Sequence, residues 1–197
     1  MVVRWAALFH DVGKPASAWR GDDGKLHYYR NPADPNSRSH EEIGAEITRA
    51  AMNRLQQPPN DLRYDVIQLV AEHMYSDDRK QTPLRARRFI QRIGRDRVFD
   101  LLLLRRCDRV GKGYGPLSGD EDAHLIAWEN LVDQERDRPL LIADLAVNGN
   151  DALALGFVGT QIGALLNDVL RLVVDNPELN SRERLLPIME RRAAKRF

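Results

Sequence analysis

Ala6-Ala7-Leu8-Phe9-His10-Asp11-Val12-Gly13-Lys14-Pro15 is the stretch on which the fold turns. It closes an apolar helix begun at Val2 and ends that helix on two metal-capable side chains. Adjacent residues on a helix diverge by about 100°, so His10 and Asp11 cannot chelate one ion in the manner of an i,i+4 pair. They can touch two neighbouring ions, or one ion from two sides. Gly13 is expected to let the chain leave the helix, and Lys14 stands beside the pair.

Downstream, Gly, Pro, Asp and Asn recur from Val12 to Arg38, which reads as a long loop of the kind that often carries function. Within it, Lys25-Leu26-His27-Tyr28-Tyr29 after the Asp23-Gly24 turn forms half of a small hairpin. Ser39-His40-Glu41-Glu42 is a capping box that starts a helix reaching about Leu55, and Pro58-Pro59 stops it. Further helices are expected from Asp61 to about Tyr75, from Thr82-Pro83 with Pro at the first helical position, from Asp96 to Val110, and from Asp120 to about Arg136. The last of these places Leu125, Trp128, Leu131 and Val132 on its apolar side. Pro139 marks a boundary, followed by a short helix at Asp151–Leu155 ended by Gly156, a longer one at Gln161–Val174 and a final basic one from Arg182 onward. The expectation is an all-α protein, with a helical bundle over residues 1–138 and a small helical domain over 139–197.

The helical faces carry the chemistry. His40 shares a face with Ile43, Gly44 and Ile47; His73 follows Val66, Leu69 and Val70 at helical spacing; Asp108 follows Leu101 and Leu104. Each interrupts an apolar stripe that points at the core, where an unpartnered polar group is costly. Taken singly, His40 and His73 read as satisfied core histidines, and Asp108 as the partner of Arg105 or Arg109. Taken together with His10-Asp11, they suit one or two divalent cations with mixed nitrogen and oxygen ligands. His27 in the loop and His124 on a polar helix read as structural.

The 197 residues balance 30 Lys+Arg against 29 Asp+Glu for a net charge of +1. No global field attracts polyanions, so any such binding needs a local patch. Arg85, Arg88 and Arg92 on one helix, and Arg182 and Arg192 on the last, are the candidates for phosphate-backbone contact; the plain alternative is a solvated face. Cys107 is the single cysteine, which excludes an intrachain disulfide and suits a reducing compartment. No stretch is apolar and long enough to span a bilayer. Val2–Phe9 is too short, and too interrupted by Arg4, for a signal-peptide core. A cytoplasmic location without a membrane partner is expected.

The His10-Asp11-x-Gly13-Lys14 stretch, His40 in Ser39-His40-Glu41-Glu42-Ile43-Gly44-Ala45, His73 in Val70-Ala71-Glu72-His73-Met74 and Asp108 in Arg106-Cys107-Asp108 resemble the ligand pattern of the HD superfamily of metal-dependent phosphohydrolases. The tail narrows the resemblance to the C-terminal part of bacterial tRNA nucleotidyltransferases (CCA-adding enzymes) that carry an HD domain. It rests on Val147-Asn148-Gly149-Asn150-Asp151, Leu155-Gly156, Gln161-Ile162-Gly163, Leu166, and Asn176-Pro177-Glu178-Leu179-Asn180 before Arg184-Leu185-Leu186. The nucleotidyltransferase head with its Gly-rich motif, and the family's first metal-ligand histidine, are not found in these residues. Hydrolysis rather than nucleotidyl transfer is therefore expected, from a fragment or a product of internal initiation.

The resemblance implies hydrolysis of phosphomonoesters or 2′,3′-cyclic phosphodiesters with Mg, Mn, Ni or Co. A two-ion arrangement places His10, Asp11 and Asp108 on one ion and Asp11, His40 and His73 on the other. Asp11 would bridge, and Lys14 would either neutralise phosphoryl charge or stand solvated in its loop. The rival readings are an RNA-binding fragment that supports tRNA with little turnover, and a regulatory HD fragment. The apolar Val2, Val3, Trp5, Leu8 and Phe9 further suggest a two-fold dimer joined near the N-terminus.

Overall fold

The computed structural model describes residues 1–55, 59–75, 80–115 and 122–194. Helices account for nearly all of its regular structure, as expected of an all-α protein. They are α1 (Val2–Phe9), α2 (Lys14–Ser17), α3 (His40–Arg54), α4 (Asn60–Glu72), α5 (Pro83–Ile93), α6 (Val98–Gly111), α7 (Ala123–Glu135), α8 (Gly149–Ala154), α9 (Thr160–Asp175) and α10 (Arg182–Ala194). The expected hairpin is present as β1 (Trp19–Arg20) and β2 (Leu26–His27), antiparallel with Trp19 opposite His27. Among the described residues, no helix is long and apolar enough to cross a membrane.

Two compact units emerge. One comprises residues 1–79 and 93–126, the other 80–92 and 127–197. The expected boundary at residues 138 and 139 divides the chain consecutively, whereas these units interleave along it, with most of α5 and α7 falling in the same unit as the C-terminal helices.

In the first unit, α1 packs on α4 and α6, α2 packs on α3, and α3 lies along α4. Ala6, Met52, Val66, Leu69, Val70, Val98, Leu101 and Leu104 are buried there. The box at the start of α3 forms as read, with the Ser39 N–H donating to Glu42 Oε2 at 3.0 Å. The buried line of α3 is His40, Gly44, Thr48 and Met52. Ile47, expected on the His40 face, is instead 36% exposed, because the buried line His40, Gly44, Thr48, Met52 turns about 40° further round the helix at each four-residue step and leaves Ile47 on its trailing edge.

In the second unit, Val147, Ala152, Phe157, Leu165, Leu166, Val169, Val173, Leu185 and Met189 form one apolar cluster. Asn148 caps α8, accepting from the Asn150 N–H while the Asn148 N–H donates to Asp151 Oδ2. Gly156, with φ of +81°, takes the left-handed conformation after α8 that ends many helices.

Candidate metal centre

All five residues singled out as ligands lie in the first unit, and the fold brings their polar atoms together. His10 caps the end of α1, its N–H bonded to the Ala6 carbonyl at 2.7 Å. Asp11 follows in the turn before α2. His40 opens α3, His73 caps α4, and Asp108 sits in the last turns of α6. Asp11, His40 and His73 form one group whose ligand atoms lie within 4.8 Å of one another, and His10, Asp11 and Asp108 form a second. Asp11 belongs to both. His27 and His124 belong to neither: His27 packs between Trp19 and Tyr29, with ring centroids at 4.8 and 5.0 Å, and His124 is exposed.

Gly13 brings the turn onto α3. A Cβ there would lie 2.1 Å from the His40 carbonyl oxygen and 2.6 Å from the Gly44 nitrogen. The sequence expectation gave this glycine conformational freedom to leave the helix. Its φ of −80° and ψ of −13° are open to any residue, so its role is close approach between backbones.

Each histidine ring is oriented by a carbonyl. His10 Nδ1 donates to Ala7 O at 2.9 Å, His40 Nδ1 to Tyr28 O at 3.0 Å, and His73 Nδ1 to Val70 O at 2.7 Å. With Nδ1 carrying the proton, a neutral ring presents only a lone pair at Nε2. Yet His40 Nε2 and His73 Nε2 are 3.1 Å apart, and they face Asp11 Oδ1 at 3.8 and 4.0 Å. His10 Nε2 faces Asp108 Oδ1 at 3.2 Å and Asp11 Oδ2 at 3.4 Å.

The electrostatics favour the same donor forms. Burial pushes the His73 imidazole down to about 4, so it is neutral at ordinary pH. Burial raises Asp11, but the Lys14 hydrogen bond and the neighbouring His10 outweigh it and hold the carboxyl below its ordinary value. Asp108 behaves alike, with Lys112 supplying the hydrogen bond. The neutral His73 nitrogen and the ionised Asp11 and Asp108 oxygens, turned toward the rings of His10 and His40, fit a divalent cation. Nitrogens held about 2.0–2.1 Å from one ion at about 90–110° lie about 3 Å apart.

Lys14 Nζ donates to Asp11 Oδ2 at 2.6 Å and lies over the Tyr28 ring. Asp108 pairs with Lys112, also at 2.6 Å, and not with Arg105 or Arg109. Arg109 binds Asp122, and Arg105 reaches the Tyr75 carbonyl. Sequence reasoning passed over Lys112, although its i,i+4 spacing from Asp108 was legible. It also passed over Tyr28, whose contribution is a backbone carbonyl.

The five arginines proposed for RNA lie in the second unit, each engaged by its own chain. Arg88 pairs with Asp175, Arg182 with Asp151 and Arg192 with Asp168. Arg85 lies over the Trp128 ring and Arg92 over the Phe89 ring.

No solved structure matches the chain significantly. The chain is 31% identical over 181 residues to the A-adding tRNA nucleotidyltransferase of Deinococcus radiodurans, covering 89% of this chain and 37% of that protein. It is 31% identical over 179 residues to the CC-adding tRNA nucleotidyltransferase of Thermus thermophilus, covering 87% and 35%. It thus spans little more than a third of the length of these curated relatives. The HD domain pattern matches residues 2–146, a span that contains all five clustered ligand candidates, and the chain belongs to the HD domain family.

Proposed function

We propose that this chain is a divalent-metal-dependent phosphoesterase acting on phosphomonoesters or 2′,3′-cyclic phosphodiesters. Its ligands to one or two ions of Mg, Mn, Ni or Co are His10, Asp11, His40, His73 and Asp108. The observation that carries this reading is the 3.1 Å approach of His40 Nε2 to His73 Nε2 while both Nδ1 atoms are committed to carbonyls. A bound divalent cation neutralises phosphoryl charge and makes water nucleophilic near neutral pH. Asp11 belongs to both groups and so sets their separation. Lys14 holds Asp11 Oδ2 and offers its ammonium to a phosphoryl oxygen. His40 and His73 close the inner end against solvent.

The test is a phosphoester panel assayed with Mg, Mn, Ni and Co after chelator stripping. Turnover that vanishes on stripping and returns with metal is expected. Stoichiometric metal uptake without turnover on any phosphoester would defeat the hydrolase reading.

A second reading, a tRNA- or RNA-binding unit with little turnover, is supported by the tRNA nucleotidyltransferases matched over most of this chain. In it, residues 1–138 form the HD domain, and residues 139–197 with the arginines of α5 support RNA. Binding to RNA should weaken steeply with added salt as counterions are released. Binding indifferent to salt, or none at low salt, would remove it. We further place the protein in the cytoplasm, checked by cell fractionation. We also propose a homodimer through α1, where Trp5 and Phe9 stack at 6.0 Å and Leu8 is 68% exposed. Light scattering on wild type and on Trp5→Glu with Phe9→Glu decides that; a wild-type monomer would refute it.

A further inference from the structure

The metal centre has a closed end and an open end. The His40 and His73 side chains are only 5% and 6% exposed. At the other end, Asp11 is 35% exposed, Asp108 25%, Lys14 31% and Lys112 49%. A substrate can therefore reach the His10, Asp11 and Asp108 group from solvent, but not the His40–His73 pair.

At that open end each carboxylate holds one ammonium. Lys14 Nζ sits 2.6 Å from Asp11 Oδ2, and Lys112 Nζ sits 2.6 Å from Asp108 Oδ2. His10 Nε2 lies 3.2 Å from the other oxygen of Asp108, whereas on Asp11 it faces, at 3.4 Å, the same Oδ2 that Lys14 holds; Lys112 is thus the ammonium that sits on an oxygen His10 does not face. The neighbouring cations of α6 are spent elsewhere, Arg109 on Asp122 and Arg105 on the Tyr75 carbonyl. Lys112 lies just past the end of α6 on a long flexible stem, so its three donors can turn from carboxylate to phosphate without moving a helix.

We infer that Lys112 is a specificity-determining residue of this site: with Lys14, it forms a pair of ammonium groups that receives a terminal phosphate dianion. The inference rests on the phosphoesterase reading and narrows it. Two ammonium groups match the two charges of a phosphomonoester better than the single charge of a cyclic diester. The site should therefore favour monoesters, and Lys112 should be the source of part of that preference.

The experiment compares wild type, Lys112→Gln and Lys112→Arg. Binding of inorganic phosphate is titrated by calorimetry with and without Mn, Mn uptake is titrated alone, and KM and kcat are measured on a nucleoside monophosphate and a 2′,3′-cyclic nucleotide. Lys112→Gln should weaken phosphate binding and raise KM for the monoester about tenfold, as loss of a charge-assisted hydrogen bond does. The cyclic diester should change less, kcat should change little, and Lys112→Arg should recover most of the loss. If Lys112 merely tethers Asp108, the glutamine variant will shift Mn affinity and leave phosphate affinity and the monoester preference unchanged. That result, or equal KM changes on both substrates, overturns the inference. A wild type that turns over nothing and takes up no metal would defeat the phosphoesterase reading instead, and the phosphate titration would still decide the role of Lys112.

Discussion

The α carbon of Gly13 lies so close to His40 that a methyl group in its place would stand 2.1 Å from the His40 carbonyl oxygen. Both partners are backbone, so neither can swing aside as a side chain would. This contact sets the His10-Asp11 turn against the first residue of α3, and with it the spacing of the candidate metal centre.

Gly13→Ala should therefore separate the turn from α3. The expected cost is at the upper end of overpacking, about 3 kcal/mol in urea denaturation, with loss of metal uptake. Gly163→Ala, on the exposed side of α9 with open space around it, should be neutral or stabilise by about 0.5–1 kcal/mol. Equal behaviour of the two variants would show that the close approach is dispensable.

Asp11→Ala should abolish phosphoester hydrolysis while leaving the helical circular dichroism intact. Asp11 contributes to both ligand groups, so its loss should exceed the about 10–100-fold penalty of removing a supporting residue around a metal. Turnover near that of wild type would remove Asp11 from the mechanism.

The second unit is locked by a buried charge on α5. Arg87 is 7% exposed. It binds Glu135 at 2.7 Å and donates to the Val174 and Asp175 carbonyls. Arg87→Met should destabilise by about 3–5 kcal/mol because it leaves the buried Glu135 carboxylate only the longer, 3.9 Å contact to the half-exposed Arg138, and adding Glu135→Leu should restore much of that loss. Chemical denaturation of the single and double variants checks this; a single variant as stable as wild type would contradict it.

Stability should also carry an acid-dependent contribution from Asp151. The Arg182 hydrogen bond, with the Asn148 N–H, holds its carboxyl below the ordinary value of 3.8. A carboxyl depressed in the folded state stabilises above its unfolded pKa, and that contribution fades as pH falls through the folded one. The stability gap between wild type and Asp151→Asn should be full at pH 7 and shrink progressively below about pH 4. A gap independent of pH would detach the ion pair from stability.

The helices, and the residues that meet at the candidate metal centre, were legible in the sequence because their signals are local. Ser39 and Glu42 announce the start of α3, Thr82-Pro83 the start of α5, and inward spacing marks His40, His73 and Asp108. The tertiary structure alone decided which polar atoms meet. Gly13 was read as a hinge, but its neighbour is the His40 carbonyl, twenty-seven positions along the chain. Arg87 looked like any member of a basic helix until Glu135 and the end of α9 closed over it. Lys112 gained meaning only once Asp108 was turned toward His10. Capping and periodicity depend on neighbours within about one or two helical turns, so residue order suffices for them. Close approach, burial of charge and ring orientation depend on distances between segments far apart in sequence, and only the packed chain sets those.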